Sequence, residues 1–288
     1  MKRMKKFIKV LAVGTLALTL AACNSSATPK KETTKTSDLT LEQVYDKAVE
    51  RQANIKSASA TMDMTQATKV SAGEETMELS SSTKMDMDFI VDPLEMHLSG
   101  TMTMPNMFGE GGETTDLPIE MYMKQGTGFF MKDTASDSWL KLPDDNFDDI
   151  LEQTASSADA KEQLEQLKSF INDFSFEQTD DEYVLTLDAE GDKFKALIDE
   201  EIEKSMQGME LGENPLDGLT IDQINYVLYI DKDTFDTNKM DMKFDLKMNV
   251  EGQELTMNTK SVITYTEFDH LKTIDIPQEV IDNAQTIE

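Results

Sequence analysis

An unbroken alternation between Met240 and Val250 constrains this chain more than any other stretch. Met240, Met242, Phe244, Leu246, Met248 and Val250 occupy one parity, with polar or charged residues between them. A helix would scatter these side chains around its circumference. In a strand, residues i and i+2 share a face, so the run predicts an antiparallel strand with one apolar and one wet side. The same period recurs in Ala60, Met62 and Met64, in Met85, Met87 and Phe89, and in Leu94, Met96, Leu98, Met102 and Met104. Shorter strands are expected at 119–124, 128–132, 139–142, 174–178, 183–187 and 224–230, with a last long one at 255–268. Turn signals separate the early strands: Ser71-Ala72-Gly73, Asp92-Pro93, and the loop from Pro105 to Pro118.

Helical periodicity marks four segments. In Leu41–Lys56, Leu41, Val44, Tyr45, Ala48, Val49 and Ile55 fall on one face. Thr40 and Gln43 stand at capping-box spacing, and Leu39 and Val44 at hydrophobic-staple spacing. Asn146–Gln153, Asp159–Asn172 and Lys193–Met206 are the other three. The simplest assembly is an α+β domain over residues 39–288, one antiparallel sheet of about ten strands with helices on one face. A sheet of that size tends to curl.

The first residues follow a different logic. Lys2, Arg3, Lys5, Lys6 and Lys9 accompany an apolar run from Phe7 to Leu20, too short and wrongly flanked for a spanning helix. Leu20-Ala21-Ala22-Cys23 then resembles the lipobox of bacterial lipoproteins, and Cys23 is the single cysteine of the chain. The resemblance implies a signal peptide over residues 1–22, cleavage after Ala22 and a diacylglyceryl group on the Cys23 thiol. Two acyl chains suffice for stable anchoring where one is marginal. An ordinary secretory signal with an incidental cysteine is the alternative. Residues 23–38, rich in Ser, Thr and Lys, read as the lipidated cysteine and a flexible tether whose 15 residues span roughly 20 Å. The expected location is the extracytoplasmic face of the cell membrane.

Residues 1–22 carry five of the 27 basic residues and none of the 56 acidic ones, which leaves 22 against 56, a net charge of −34. So anionic a domain is repelled by nucleic acid and by anionic lipid headgroups, and neither is expected as a direct partner. With Cys23 acylated no internal disulfide can form, and the fold rests on its hydrophobic core. That suits a Gram-positive-type surface.

The order of helix, strand block, helices and second strand block resembles bacterial lipoproteins of the LolA/LolB-like and LppX/LprG-like type. The closing residues Tyr229-Ile230-Asp231-Lys232-Asp233-Thr234-Phe235 and Ile274-Asp275-Ile276-Pro277-Gln278-Glu279-Val280, with Ala284, also look like uncharacterised Gram-positive lipoproteins of this kind. The resemblance implies a strongly curved half-barrel, helices covering its concave face, and a cavity that shelters lipid or another apolar ligand. It transfers no functional residue one by one.

Sixteen of the twenty methionines lie at 62–131 or 240–257, with Met-x-Met at 62/64, 85/87, 102/104, 121/123 and 240/242. Three readings stand. The pairs fill the core; or they form an adaptable wall for apolar ligands; or their thioethers hold a soft metal such as Cu(I). On the second reading Met62, Met64, Met87, Leu98, Met102, Met242, Phe244 and Leu246 line the ligand site.

Catalytic signatures are missing. There is no G-x-S-x-G, no H-E-x-x-H and no Gly-rich phosphate loop before a helix. His97 and His270 stand in no catalytic motif. Asp231 to Asp236 lacks EF-hand spacing and reads as a hairpin turn. The expectation is a non-enzyme with no cofactor and no dedicated metal site, and with no partner protein that the sequence identifies. Its lead role is apolar-ligand binding, against the rivals of a protein-interaction or sensory module and of soft-metal binding.

Overall fold

The computed structural model describes residues 26–73, 75–105, 114–134, 136–143, 170–190, 220–250 and 253–287, together with Phe147 and Lys168. Thirteen strands among these residues form one sheet. In chain order they are β1 (Thr28–Pro29), β2 (Ser57–Ala72), β3 (Glu75–Ile90), β4 (Glu95–Pro105), β5 (Thr114–Lys124), β6 (Gly128–Asp133) and β7 (Ser138–Lys141). There follow β8 (Phe174–Gln178), β9 (Glu182–Glu190), β10 (Thr220–Asp231), β11 (Thr237–Val250), β12 (Gln253–Phe268) and β13 (Gln285–Thr286). The spatial order is β1-β8-β9-β10-β11-β12-β2-β3-β4-β5-β6-β7-β13.

This corrects the expected fold class. The sheet is open and mixed, with thirteen strands instead of about ten, and it is not a helix-covered α+β half-barrel. The described residues hold two α-helices, α1 (Leu41–Gln52) and α2 (Gln278–Asn283). The physical reason is that period-2 patterning runs through both strand blocks. Strand β12 pairs with β2 over 14 residue pairs, from Glu254↔Ser71 to Phe268↔Ala58, and so fuses the two blocks into one sheet. The mixed character comes from the chain ends, since β1 joins β8 in parallel and β13 joins β7 in parallel. Both edges of the sheet are thereby capped by two-residue strands, which blunts edge-to-edge pairing with other chains. The helices expected at 146–153 and 193–206, and that at 159–172 up to position 169, lie outside the described residues but for Phe147 and Lys168. Ile171–Asp173 is a single 3₁₀ turn leading into β8.

Helix α1 starts where its cap demands. The Thr40 hydroxyl accepts the Gln43 amide at 3.3 Å, and the Gln43 side chain accepts the Thr40 amide at 3.0 Å. Leu41, Val44, Tyr45 and Ala48 bury one face of the helix in the main core cluster, with Phe174, Leu185, Leu187, Ile224 and Leu228 of the sheet. The helix ends at Gln52, before the expected Lys56, because Ile55 is already buried and β2 begins at Ser57. Arg51 ties this end down: its Nε lies 2.6 Å from Asp236 and its guanidinium 2.8 Å from Asp269. Burial pushes the Asp269 carboxyl up, but the Lys56 N–H and Arg51 together hold it below the usual range.

The C-terminal segment covers a second cluster, in which Ile274 and Val280 meet Ile90, Tyr122 and Phe130. Its keystone is Glu95, whose carboxylate accepts the Ile274 amide at 2.5 Å and the Lys124 ammonium at 3.2 Å. Burial alone would raise this carboxyl, yet the Ile274 N–H, Lys124 and the Thr273 hydroxyl bring it below its ordinary value.

The segment read as a flexible tether is docked from Ser26 onward. Besides the β1–β8 pairing, Ser26 bridges Thr40, and Ala27 is buried in the main cluster.

Candidate functional site

Cross-strand partners in an antiparallel ladder point to the same face, so the registers fix which side chains share a surface. One row runs Phe176, Leu185, Leu228, Met240, Ile263, Met62, Met85, Gly100, Ile119. The next runs Phe174, Leu187, Tyr226, Met242, Ser261, Met64, Thr83, Met102, Leu117. A third pairs Ala60 with Met87, Leu98, Met121 and Met131 in succession. Further along the strands, Ile224, Phe244, Thr259 and Gln66 form a row, and so do Ile221, Leu246, Met257 and Thr68.

All eight residues expected to line a ligand site therefore fall on one face. Strands β2, β11 and β12 contribute no charged side chain to it, whereas the reverse side of β11 carries Lys239, Asp241, Lys243, Asp245 and Lys247. The eight divide in two. Phe244 and Leu246 pack against the α1 core cluster and so serve the core. Met62, Met64, Met87, Leu98, Met102 and Met242 are half-buried and join no core cluster among the described residues. Burial at one end of the face comes from α1, and at the β4–β6 end Phe147 packs with Leu94 and Met123. Toward its margin the face exposes Met77 and Met104, at 48% and 38%.

Polar groups on this wall are few and neutral. The Tyr226 hydroxyl donates to the Met240 sulfur at 3.1 Å, and the Gln66 amide to the Met257 sulfur at 2.7 Å. Burial raises the Tyr226 and Tyr265 phenols, so both stay protonated. Among the described residues this stretch of the face presents flexible thioethers with scattered hydroxyls and amides, a chemistry compatible with apolar chains. Cys23 lies outside the described residues.

His97 sits on the reverse face, as its parity demanded. Its ring stacks on Tyr122 at 4.3 Å between centroids, and Nε2 lies 3.9 Å from Glu120. His270 lies 3.2 Å from Glu267. Among the described residues no group of three or more His, Cys, Asp or Glu side chains is placed to hold a metal ion. Asp231 to Asp236 is a hairpin turn, with the Asp231 carboxylate accepting the Asp233 and Thr234 amides, both at 2.8 Å.

A cleft that the sequence does not foreshadow lies at another place. A cleft of about 470 Å³ opens between Lys35–Leu39, the β8–β9 turn and the β10–β11 turn. Asp180, Asp181, Asp231 and Asp233 face Lys35 and Lys232 there. Lys232 is committed to structure: its ammonium donates to the Lys35 and Thr179 carbonyls at 2.7 and 2.5 Å and lies 5.5 Å from the Tyr183 ring centre. The cleft is the seam along which the N-terminal segment joins the sheet. Its polar residues have no periodicity, and no sequence signal could have placed them together.

The family described as "Family of unknown function (DUF6612)" matches residues 40–285. The chain belongs to that family. No curated protein matches this DUF6612 member. Among solved structures, a DUF1329 family protein from Desulfovibrio piger aligns at 11% identity over 82% of this chain and 95% of that one, with a TM-score of 0.22. A LolA superfamily protein from Nitrosomonas europaea aligns at 11% identity over 84% and 97%, with a TM-score of 0.17. These low-scoring superpositions carry no weight for ligand or role.

Proposed function

We propose that this DUF6612 member is a lipid-anchored, non-catalytic lipoprotein of the extracytoplasmic membrane face, whose methionine-lined sheet face holds an apolar or amphipathic ligand such as a lipid. The observation that supports it is the register. Six of the eight expected residues lie together on a face to which β2, β11 and β12 bring no charge, and are not consumed by a core cluster among the described residues. The anchor rests on Leu20-Ala21-Ala22-Cys23 and the basic and apolar residues before it.

Native mass spectrometry of the chain from Asn24 onward, purified gently from a bacterial host, tests the binding role. That version keeps Ser26–Asp38, which the fold uses. A reproducible added mass equal to a lipid supports the proposal. A bare mass that persists after incubation with membrane lipids removes it and leaves the methionines as core filling.

A further inference from the structure

The N-terminal segment leads further, on the reading that Cys23 is acylated. Ser26–Asp38 is held at several points. Thr28 and Pro29 pair with Glu177 and Gln178, and the Lys30 amide donates to the Gln178 carbonyl at 2.8 Å. The Gln178 side chain, 1% exposed, donates to the Ala27 carbonyl at 2.7 Å and accepts the Ser37 amide at 2.8 Å. The Asp180 carboxylate accepts the Thr34 and Lys35 amides at 2.5 and 2.8 Å. Ser26 bridges Thr40, the N-cap of α1.

Only Asn24 and Ser25 separate this strap from Cys23. Three Cα–Cα steps reach about 10 Å at most, half the span of the tether expected from sequence. Charge is divided along the sequence, although the β8 edge beside the strap itself carries Asp173, Glu177, Asp180 and Asp181. Residues 24–56 hold six basic and five acidic side chains, net +1, while residues 57–288 hold 16 and 51, net −35. An anionic headgroup surface repels the second group and tolerates the first.

We propose that Ser26–Asp38 is a docked strap that seats the β1–β8 edge and the N-terminus of α1 against the lipid headgroups, holding the domain in one orientation on the bilayer. The strand edge at β7–β13 then stands away from the membrane, and the methionine face rises from the bilayer with α1 at its foot.

The test uses the full chain, processed and acylated in a bacterial host. Acylation consumes the one native thiol, so Ser175→Cys on β8 and Gln285→Cys on β13 each offer a single site for a fluorophore. Both positions are exposed. On vesicles carrying a headgroup quencher, the label at position 175 is quenched several-fold more than that at 285. A Gly/Ser insert of about 15 residues between Ser25 and Ser26 abolishes the difference. Equal quenching without the insert overturns the strap and leaves the anchor standing. A protein that fails to float with vesicles and keeps a free Cys23 thiol overturns both.

Discussion

Gln178 holds Ala27 across 151 positions of sequence, donating from its buried side-chain amide to the Ala27 carbonyl at 2.7 Å. Its other amide atom accepts from Ser37, so one glutamine clamps both ends of the strap. Gln178→Ala leaves a carbonyl and an N–H without partners, a loss of roughly 1–3 kcal/mol. Urea unfolding reads the loss, and amide exchange over residues 27–37 should quicken before the rest of the sheet. Unchanged exchange there would show that the β1–β8 pairing holds the strap unaided.

Gly100 lies opposite Met85 in the β3–β4 ladder. A Cβ built at this position would come 2.1 Å from the Lys84 carbonyl oxygen and 2.8 Å from the Met85 Cα. Both obstacles are backbone, so strand β4 must shift to admit a methyl. Gly100→Ala is expected to destabilise the fold by about 1–3 kcal/mol, although alanine normally favours an extended backbone over glycine. Thermal denaturation decides; an equal or higher midpoint would mean that the ladder yields freely.

Acid should loosen the C-terminal segment first. Glu95 has a folded pKa below its unfolded value, so its contribution is fully present above the unfolded carboxylate range near 4.3 and fades as pH falls through the folded value. Asp269 follows the same sign, because the Lys56 N–H and Arg51 outweigh its burial. Glu95→Gln keeps the shape and removes the charge, at a cost of about 2 kcal/mol at neutral pH. Its stability should vary less between neutral and acid conditions than that of the unchanged chain. Parallel pH profiles for the two would remove Glu95 from the acid response.

The chain states its strands openly and its closures hardly at all. Phe174–Gln178 was readable to the residue, and the alternation of Met240–Val250 fell within β11. The Thr40–Gln43 box opened α1 where spacing placed it. The Ser- and Thr-rich ends of β2 and β3 carry no strand signal of their own, because Thr65 to Lys69 and Ser80 to Ser82 show no apolar period. The strap was missed for a related reason. It has no large apolar residue, and what holds it is backbone pairing and a buried glutamine far away in sequence. Parity alone puts Met62 with Met64, and Leu98 with Met102, on one side of their own strands, but the common face of the six wall residues needed the register.

Met64 and Met242 flank Ser261 on the wall, each a direct cross-strand partner of that serine. Both are half-buried, so a charge there is tolerated by the fold better than in the α1 cluster, yet it must be desolvated by any apolar ligand. Met64→Asp and Met242→Asp should each lower the lipid-bound fraction in native mass spectra, and together abolish it. The leucine versions change volume little and should cost less than about 1.5 kcal/mol while keeping the ligand. They also separate the chemistries, since leucine removes the thioether a soft metal would need. Loss of lipid in the aspartate pair with retention in the leucine pair marks a binding wall. Full lipid occupancy in the aspartate pair would place the ligand elsewhere on the sheet.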